Sequence, residues 1–491
     1  MRFKGILFLI IIPLVLVAIG IWAYAQQRLH GDVVTHMRSV GNGGAAWGLY
    51  IMFDIFFVGL AATGIAVTSA AHLFRLESVR PISRVAEFLA VLSLGLAGMC
   101  VMADQGRPLQ ALLNLPQYAR VMSPFFGSFT LIVGVGLAAS AVMLYLGGRG
   151  DAAWCGRQPG PLRWAYRLWA SGYKGSDREL GRHRLARFWL SFTMFPFIIG
   201  AYSTLGLVFG TQGGRPGWFG ALRAPSMLVV AGISGLGLLI AISGVLKMTI
   251  GARNTIPDRL FSRIGNIMVV LISVFLYILV VETMTERYAG HQAELRVSDA
   301  ILFGAYAPAF WSMLALLGVA LGLLFLQFIR RTTMVKTMIL VGVLVNVAAL
   351  LRRYLVVVPA QTHGHYLDYA DGIYVPNPLE FGVIGGVLGI GVLAFVAFMR
   401  FFPIIPLHAY YGRMRSSLDP EPNLHGRLRI FLTSGTFLTG VSLAAVGLAL
   451  SARFGTEAYL DPIVPFSPVL FIIGIVMTIY SAAVYVVAPP G

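Results

Sequence analysis

Long apolar runs separated by short polar connections dominate the chain. Twelve runs reach the about 20 residues that a helix needs to cross a bilayer core about 30 Å thick. They fall at roughly 5–24, 48–73, 85–103, 125–147, 188–210, 226–246, 264–282, 306–329, 337–357, 380–399, 430–450 and 466–488. Apolar and polar positions do not alternate with a period of two, and the runs are too long for barrel strands, so a β-barrel is excluded. The pattern predicts an all-α polytopic membrane protein with about 12 transmembrane helices.

Composition agrees. Of 491 residues, 57% are hydrophobic and 12% charged, against roughly a quarter charged in average globular chains. That deficit excludes disorder and an ordinary soluble fold. The formal charge of +17 would suggest nucleic acid only if the basic residues shared a solvated face. Instead they lie between the apolar runs. With the N-terminus inside, the inner segments carry 26 Lys and Arg and the outer segments 11, never more than two per outer loop. Acidic residues divide 8 inside and 12 outside, so the inner side is +18 and the outer side −1. Every loop obeys the positive-inside rule. The surplus is an orientation signal that places both termini in the cytoplasm, and no nucleic-acid partner is expected. The first run, between Arg2 with Lys4 and Ala23-Tyr24-Ala25, also has the look of a signal peptide. Its length exceeds the usual 7–15 apolar residues of such a segment, which favours a retained helix.

The chain has little redox equipment of its own. Cys100 falls in the third span and Cys155 in a basic inner loop; two cysteines cannot build a Cys₄ cluster, and packing accounts for Cys100. Of nine histidines only His72 falls within a predicted span, whereas a di-haem cytochrome b needs several on facing helices. No haem, iron–sulfur cluster or metal site is expected in this chain. No nucleotide-binding glycine loop is present either.

Ionisable residues inside apolar spans are costly, and so mark candidate function. Asp54 is the clearest, about two turns into span two. It can accept a proton or pair with a neighbouring cation. Asp104 and Arg107 close span three, either as an interfacial pair or as a guanidinium presented at the boundary. Arg352 and Arg353 close span nine, where snorkelling is the plain alternative. Glu282 ends span seven and Glu380 opens span ten. The outer boundary thus gathers Asp54, Asp104, Arg107, Glu282, Arg352, Arg353 and Glu380. On the inner half His72 and Glu87 flank a short loop and are candidates for a proton path; Lys247, Asn266 and Asn346 are further polar points, which inter-helix hydrogen bonds and caps also explain. Gly59, Ala62 and Gly64, then Gly232, Gly235 and Gly237, then Gly385, Gly386, Gly389 and Gly391 permit close helix packing.

Several motifs then fall in order. Trp47-Gly48-Leu49-Tyr50 precedes Phe56-Phe57-Val58-Gly59-Leu60-Ala61-Ala62. Asp104-Gln105-Gly106-Arg107-Pro108 and Ser123-Pro124-Phe125-Phe126 follow. Leu222-Arg223-Ala224-Pro225-Ser226, Phe310-Trp311, Arg353-Tyr354 and Tyr374-Val375-Pro376 come later. Over residues 40–405 this resembles the NrfD/PsrC family of quinone-interacting membrane subunits. The stretch from Thr63 to Phe74 is most similar to DsrP/HmcC-type members.

The resemblance implies two four-helix bundles, a quinone site near the outer face and no redox cofactor within the subunit. It implies menaquinone or ubiquinone as substrate. Its implied partner is an outer-face, four-cluster ferredoxin-like iron–sulfur protein, itself coupled to a molybdopterin enzyme or a multihaem cytochrome c. In PsrC-like members a His contacts the quinone; the matching position here, five residues before Gly59, is Asp54, and a carboxylate also accepts a quinol proton. Trp47, Tyr50, Asp104, Arg107 and Arg353 are then expected around the quinone, and Arg352, Glu282 and Glu380 at the pocket mouth or in partner docking.

The expected organisation is an N-terminal helix and outer loop (1–46), a quinone-interacting core (47–405) and two additional helices (406–491). The expected location is a bacterial cytoplasmic membrane. Two other readings stay open on sequence. A secondary transporter calls for paired broken helices, which interior Pro196 and Pro308 do not convincingly supply. A haem-b-binding anchor would use His72.

Overall fold

A computed structural model describes residues 3–38, 45–74, 76, 79–114, 128–249, 256–364 and 370–406. Among them are ten helices long and apolar enough to cross a membrane. They are α1 Phe3–His30, α2 Leu49–Leu73, α3 Ser83–Asp104, α4 Ser128–Cys155, α5 Asp177–Gly210, α6 Arg223–Thr249, α7 Asp258–Ala289, α8 Ala307–Arg330, α9 Val335–Val357 and α10 Pro378–Phe401. They match the first ten predicted spans. The two expected at 430–450 and 466–488 lie outside the described residues. Several helices outrun their apolar stretch, because a helix does not stop where hydrophobicity does: α5 begins at Asp177, with acidic residues in its first turn where the helix dipole favours them.

Prolines behave as backbone chemistry dictates. Pro196 lies inside α5. Pro308, expected inside a span, instead sits at the first turn of α8, where its missing N–H costs nothing. Pro378 opens α10, behind an Asn377 side chain that accepts from the Leu379 N–H at 3.0 Å.

The chain divides into two compact units: Met1–Gly64 with Phe88–Ala111 and Tyr202–Phe401, and Ile65–Glu87 with Leu112–Ala201 and Phe402–Gly491. In the first unit α6, α7, α8 and α9 close a four-helix bundle, each packed on the next and α9 returning to α6. Small residues bring the backbones together. A Cβ on Gly342 would collide with the Gly237 carbonyl, and one on Gly244 would lie 2.6 Å from Ile339. α1 packs along α10 in the same unit. A Cβ on Gly20 would lie 2.6 Å from the Gly386 Cα, and one on Gly389 2.7 Å from the Pro13 carbonyl. Without a hydrophobic driving force between lipid-bathed helices, such close contact is what holds the pair. α2 is the most buried of the ten.

The second unit holds the last turns of α2, the first of α3, α4 and most of α5. Its core is ionic as well as apolar. Arg84 of α3 bridges to Asp151 of α4 at 2.9 Å, and Arg187 of α5 to Glu87 of α3 at 3.1 Å.

Candidate functional site

Residues four apart on a helix share a face, so α2 presents Tyr50 and Asp54 together. Tyr50 is fully buried and its hydroxyl donates to Gln27 Oε1 of α1 at 2.9 Å. The Gln27 amide in turn donates to Asp32 at 2.9 Å and to the Ala103 carbonyl at 3.2 Å. Asp54 is buried, and among the described residues it makes no hydrogen bond or ion pair. Its carboxyl group interacts electrostatically with Asp104, Cys100 and Tyr202. Burying a carboxylate without a partner is among the costliest arrangements a membrane helix can hold.

Arg353 is the matching oddity of opposite sign. It is fully buried, so it does not snorkel. One guanidinium nitrogen, Nη2, donates to the Tyr202 hydroxyl at 2.8 Å and lies 3.5 Å from the Met227 carbonyl. Its Nε and Nη1 are buried without a hydrogen-bond partner among the described residues. Tyr202 of α5 then donates to the Ile55 carbonyl at 3.2 Å, the residue after Asp54. A Cβ on Gly59 would lie 2.8 Å from the Tyr202 hydroxyl. That glycine is therefore the space in which Tyr202 reaches α2, which gives the Val58-Gly59-Leu60 motif a physical reason.

Its neighbour Arg352 points elsewhere, as adjacent helical positions must. It bonds Glu282 at 2.8 Å and Ser226 at 3.3 Å, while Arg223 pairs with Glu286 at 3.0 Å and approaches Glu282 at 3.8 Å. The Leu222–Ser226 motif thus supplies an Arg and a Ser to an ionic knot joining α6, α7 and α9. Glu380 is also fully buried. It accepts from the His36 and Asn377 N–H groups at 2.9 and 3.1 Å and from the Tyr374 hydroxyl. The docking role expected of Arg352, Glu282 and Glu380 does not fit this burial. Each is internally bonded and offers little surface to a partner; they brace the structure from within.

Asp104 pairs with Arg38 at 3.2 Å, and Arg38 also bonds Asp32 at 2.7 Å. Arg107, the partner considered on sequence, is instead exposed and lies 3.4 Å from Gln110. Asp104 Oδ1 is buried and unpartnered among the described residues. Trp47 stacks on Trp218 with centroids 5.7 Å apart and meets the edge of Phe209 at 6.0 Å. Gln361 clamps the approach to α2, accepting from the Ala46 and Trp47 N–H groups and donating to the Trp47 carbonyl. A Cβ on Gly48 would overlap the Tyr374 hydroxyl, which accepts from the Leu49 N–H at 2.9 Å. Burial and then the Glu380 charge push the Tyr374 phenol well above its ordinary pKa, so it stays a donor.

His72 and Glu87 lie in the second unit. Lys247 caps a loop, donating to the Ile256 carbonyl and Asp258. Asn346 bonds its own helix at Gly342, and Asn266 is exposed. Sequence reasoning missed Tyr202, Gln361, Gln27 and Arg38. Of these only Arg38, a charge in an outer loop, carried a visible signal.

Comparison with known proteins now bears on this geometry. Residues 37–363 match the family described as polysulphide reductase, NrfD. The chain belongs to the NrfD family. The match spans α2 to α9, eight helices; α1 and α10 lie outside it. Across 79% of this NrfD chain and 89% of the relative, the sequence is 30% identical to a putative dimethyl sulfoxide reductase membrane subunit of Halobacterium salinarum. A selenate reductase subunit of Mesobacillus selenatarsenatis is 25% identical over 78% of the chain and 91% of its own length. An Hdr-like menaquinol oxidoreductase integral membrane subunit of Archaeoglobus fulgidus is 22% identical over 82% and 94%. The chain is a polytopic membrane protein of this family.

Proposed function

We propose that this NrfD protein exchanges electrons between the membrane quinone pool and a redox partner at the Asp54–Tyr202–Arg353 site. It is a quinone-interacting membrane subunit of a multi-subunit oxidoreductase. The observation that carries the assignment is the pair of buried groups, Asp54 and Arg353, each without an opposite charge of its own among the described residues and both coupled to Tyr202. Such a pair is a poor structural device and a good chemical one. Quinol oxidation releases two electrons, which pass to the redox partner, and two protons; Asp54 takes one from a quinol hydroxyl, acting as general base, and the other leaves to water. The unpartnered Nε–H and Nη1–H of Arg353 donate to a quinone oxygen as negative charge develops there. Tyr50 and Trp47 shape the wall, and Gln27 and Gln361 hold them.

The substrate is menaquinone or ubiquinone. The partner is an outer-face, four-cluster ferredoxin-like iron–sulfur protein or a multihaem cytochrome c, with a molybdopterin-containing catalytic protein beyond it. The names of the reductase and menaquinol oxidoreductase relatives support this reading. The location is the cytoplasmic membrane, with both termini on the cytoplasmic side, supported by the distribution of basic loops.

The test is purification of the chain with its native partners and addition of a reduced menaquinone analogue. Bleaching of the partner's iron–sulfur or haem absorbance, abolished by Arg353→Met with the complex intact, is expected. A chain that purifies alone and carries solute in proteoliposomes would sink the proposal.

A further inference from the structure

The second unit contains a buried polar compartment that the quinone chemistry does not use. Four helices contribute to it. On α2, Thr68 and Ser69 are buried, and their hydroxyls have no hydrogen-bond partner among the described residues. His72, one turn beyond Thr68, has Nε2 buried and likewise unpartnered, and interacts electrostatically with Arg187 and Arg80. On α3, Arg84 and Glu87 share a face. Arg84 donates to Asp151 at 2.9 Å and to the Gly147 carbonyl at 2.6 Å.

Glu87 is the centre. Its Oε1 accepts from Arg187 at 3.1 Å, whereas Oε2 is buried, lies 3.9 Å from Arg84 Nε as an ion pair, and makes no hydrogen bond among the described residues. A Cβ on Gly147 of α4 would overlap that oxygen, so the glycine leaves the carboxylate its space. Two turns before Gly147, on the same face, Ser140 presents a buried unpartnered hydroxyl; one turn after Arg187 on α5, Ser191 presents another.

Helical serines and threonines ordinarily bond back to their own helix. Among the described residues four such hydroxyls make no hydrogen bond, and nor do Glu87 Oε2 and His72 Nε2. Packed cores satisfy their buried polar groups. Six buried groups without a hydrogen bond among the described residues, contributed by four helices of one unit, fit a site that holds ordered water. Arg187 is the way out: its side chain is 27% exposed while Glu87 is buried. The charged groups facing Glu87 are Arg84, Arg187 and Asp151.

We propose that this compartment is a hydrated proton-uptake site opening toward the basic-loop side, with Glu87 as the proton-holding group. A hydronium ion gives its proton to Glu87 Oε2 and leaves as water. The neutral acid loosens its bond to Arg187, and return of the proton to the water chain restores the carboxylate and the ion pair. What drives the cycle rests on the quinone reading; the hydration of the site does not.

Two measurements test it. In a Cys100→Ser/Cys155→Ser background, the intact complex carries Thr68→Cys, Ser191→Cys or, as a dry control, Leu190→Cys. A small charged thiol reagent is added to vesicles exposing the basic-loop side. Labelling of the first two and not the third is expected; no labelling of Thr68→Cys and Ser191→Cys overturns the proposal. In proteoliposomes with menaquinol, Glu87→Gln is expected to retain ionophore-uncoupled electron transfer and to lose proton uptake beyond that of the quinone itself. Glu87→Asp restores part of it, and Ser191→Ala slows it should Glu87→Gln fail to assemble. Unchanged proton uptake in these variants overturns the proposal even where labelling occurs. Failure of the quinone reading shows separately, as absent menaquinol-dependent electron transfer in the native complex.

Discussion

Replacing Tyr202 by Phe removes a single oxygen and isolates a charge. The hydroxyl accepts from Arg353 at 2.8 Å; without it the guanidinium keeps, among the described residues, the Met227 carbonyl at 3.5 Å and the face of the ring at residue 202, 5.9 Å away. A hydrogen bond to a charged group contributes about 1.5–3 kcal/mol. Tyr202 also donates to the Ile55 carbonyl at 3.2 Å, a neutral bond contributing about 1 kcal/mol. The expected loss for Tyr202→Phe is therefore about 3 kcal/mol, read as thermal unfolding of the purified complex in detergent. Arg353→Leu and the double variant Tyr202→Phe/Arg353→Leu complete a cycle. Because the double variant strands no charge, it should unfold at a higher temperature than Tyr202→Phe alone. Native-like unfolding of Tyr202→Phe, or a cycle additive within about 0.5 kcal/mol, would refute the idea that the hydroxyl holds this guanidinium.

Other expectations follow from the same contacts. Gly59→Ala places a methyl 2.8 Å from the Tyr202 hydroxyl; the complex should assemble while kcat for quinol oxidation falls roughly tenfold or more, as a 1 Å displacement of a reacting constellation can cost. Gln361→Ala releases the loop carrying Trp47 and should raise KM for the quinol analogue more than it lowers kcat. Gly20→Leu or Gly386→Leu forces apart α1 and α10, and should reduce the yield of folded complex on size-exclusion chromatography. The Tyr374–Glu380 bond carries a pH signature. The folded phenol's pKa is raised, so the bond's contribution is complete below the unfolded value of about 10 and is lost above it. The stability gap between the native protein and Tyr374→Phe should be constant up to about pH 10 and narrow beyond it.

Much of the fold could be read directly from periodicity, because a membrane span is a length-and-hydropathy signal that tertiary packing barely modifies. All ten described spans were visible in that way, and the glycine-rich stretch of α10 proved to be a backbone-to-backbone seam with α1. The site was legible only as isolated anomalies. Asp54 stood out because an acid in an apolar helix is conspicuous without knowledge of its neighbours. Tyr202 did not, since a tyrosine in a membrane helix has many uses and only the fold brings it to α2. The adjacent pair Arg352 and Arg353 read as one basic doublet. On the helix they diverge, one into the ionic knot with Glu282 and the other into the site with Tyr202. For Arg107 the sequence offered a pair with Asp104 or a guanidinium presented at the boundary; it is exposed, and Arg38 pairs with Asp104 instead. Charges near an apparent boundary suggested a pocket mouth or a docking surface; Glu380 and Glu282 are buried and bonded internally. One-dimensional position gives depth along a helix and not the direction a side chain faces among other helices.

Menaquinol-dependent reduction of the partner by a complex carrying Asp54→Asn bears most directly on the proposed chemistry. Asparagine keeps the shape and removes the proton acceptor. With the complex intact and its quinone affinity retained, turnover should fall at least about 100-fold, the usual share of a positioned general base. Turnover equal to that of the native complex would contradict the assignment of Asp54 as the group that takes the quinol proton.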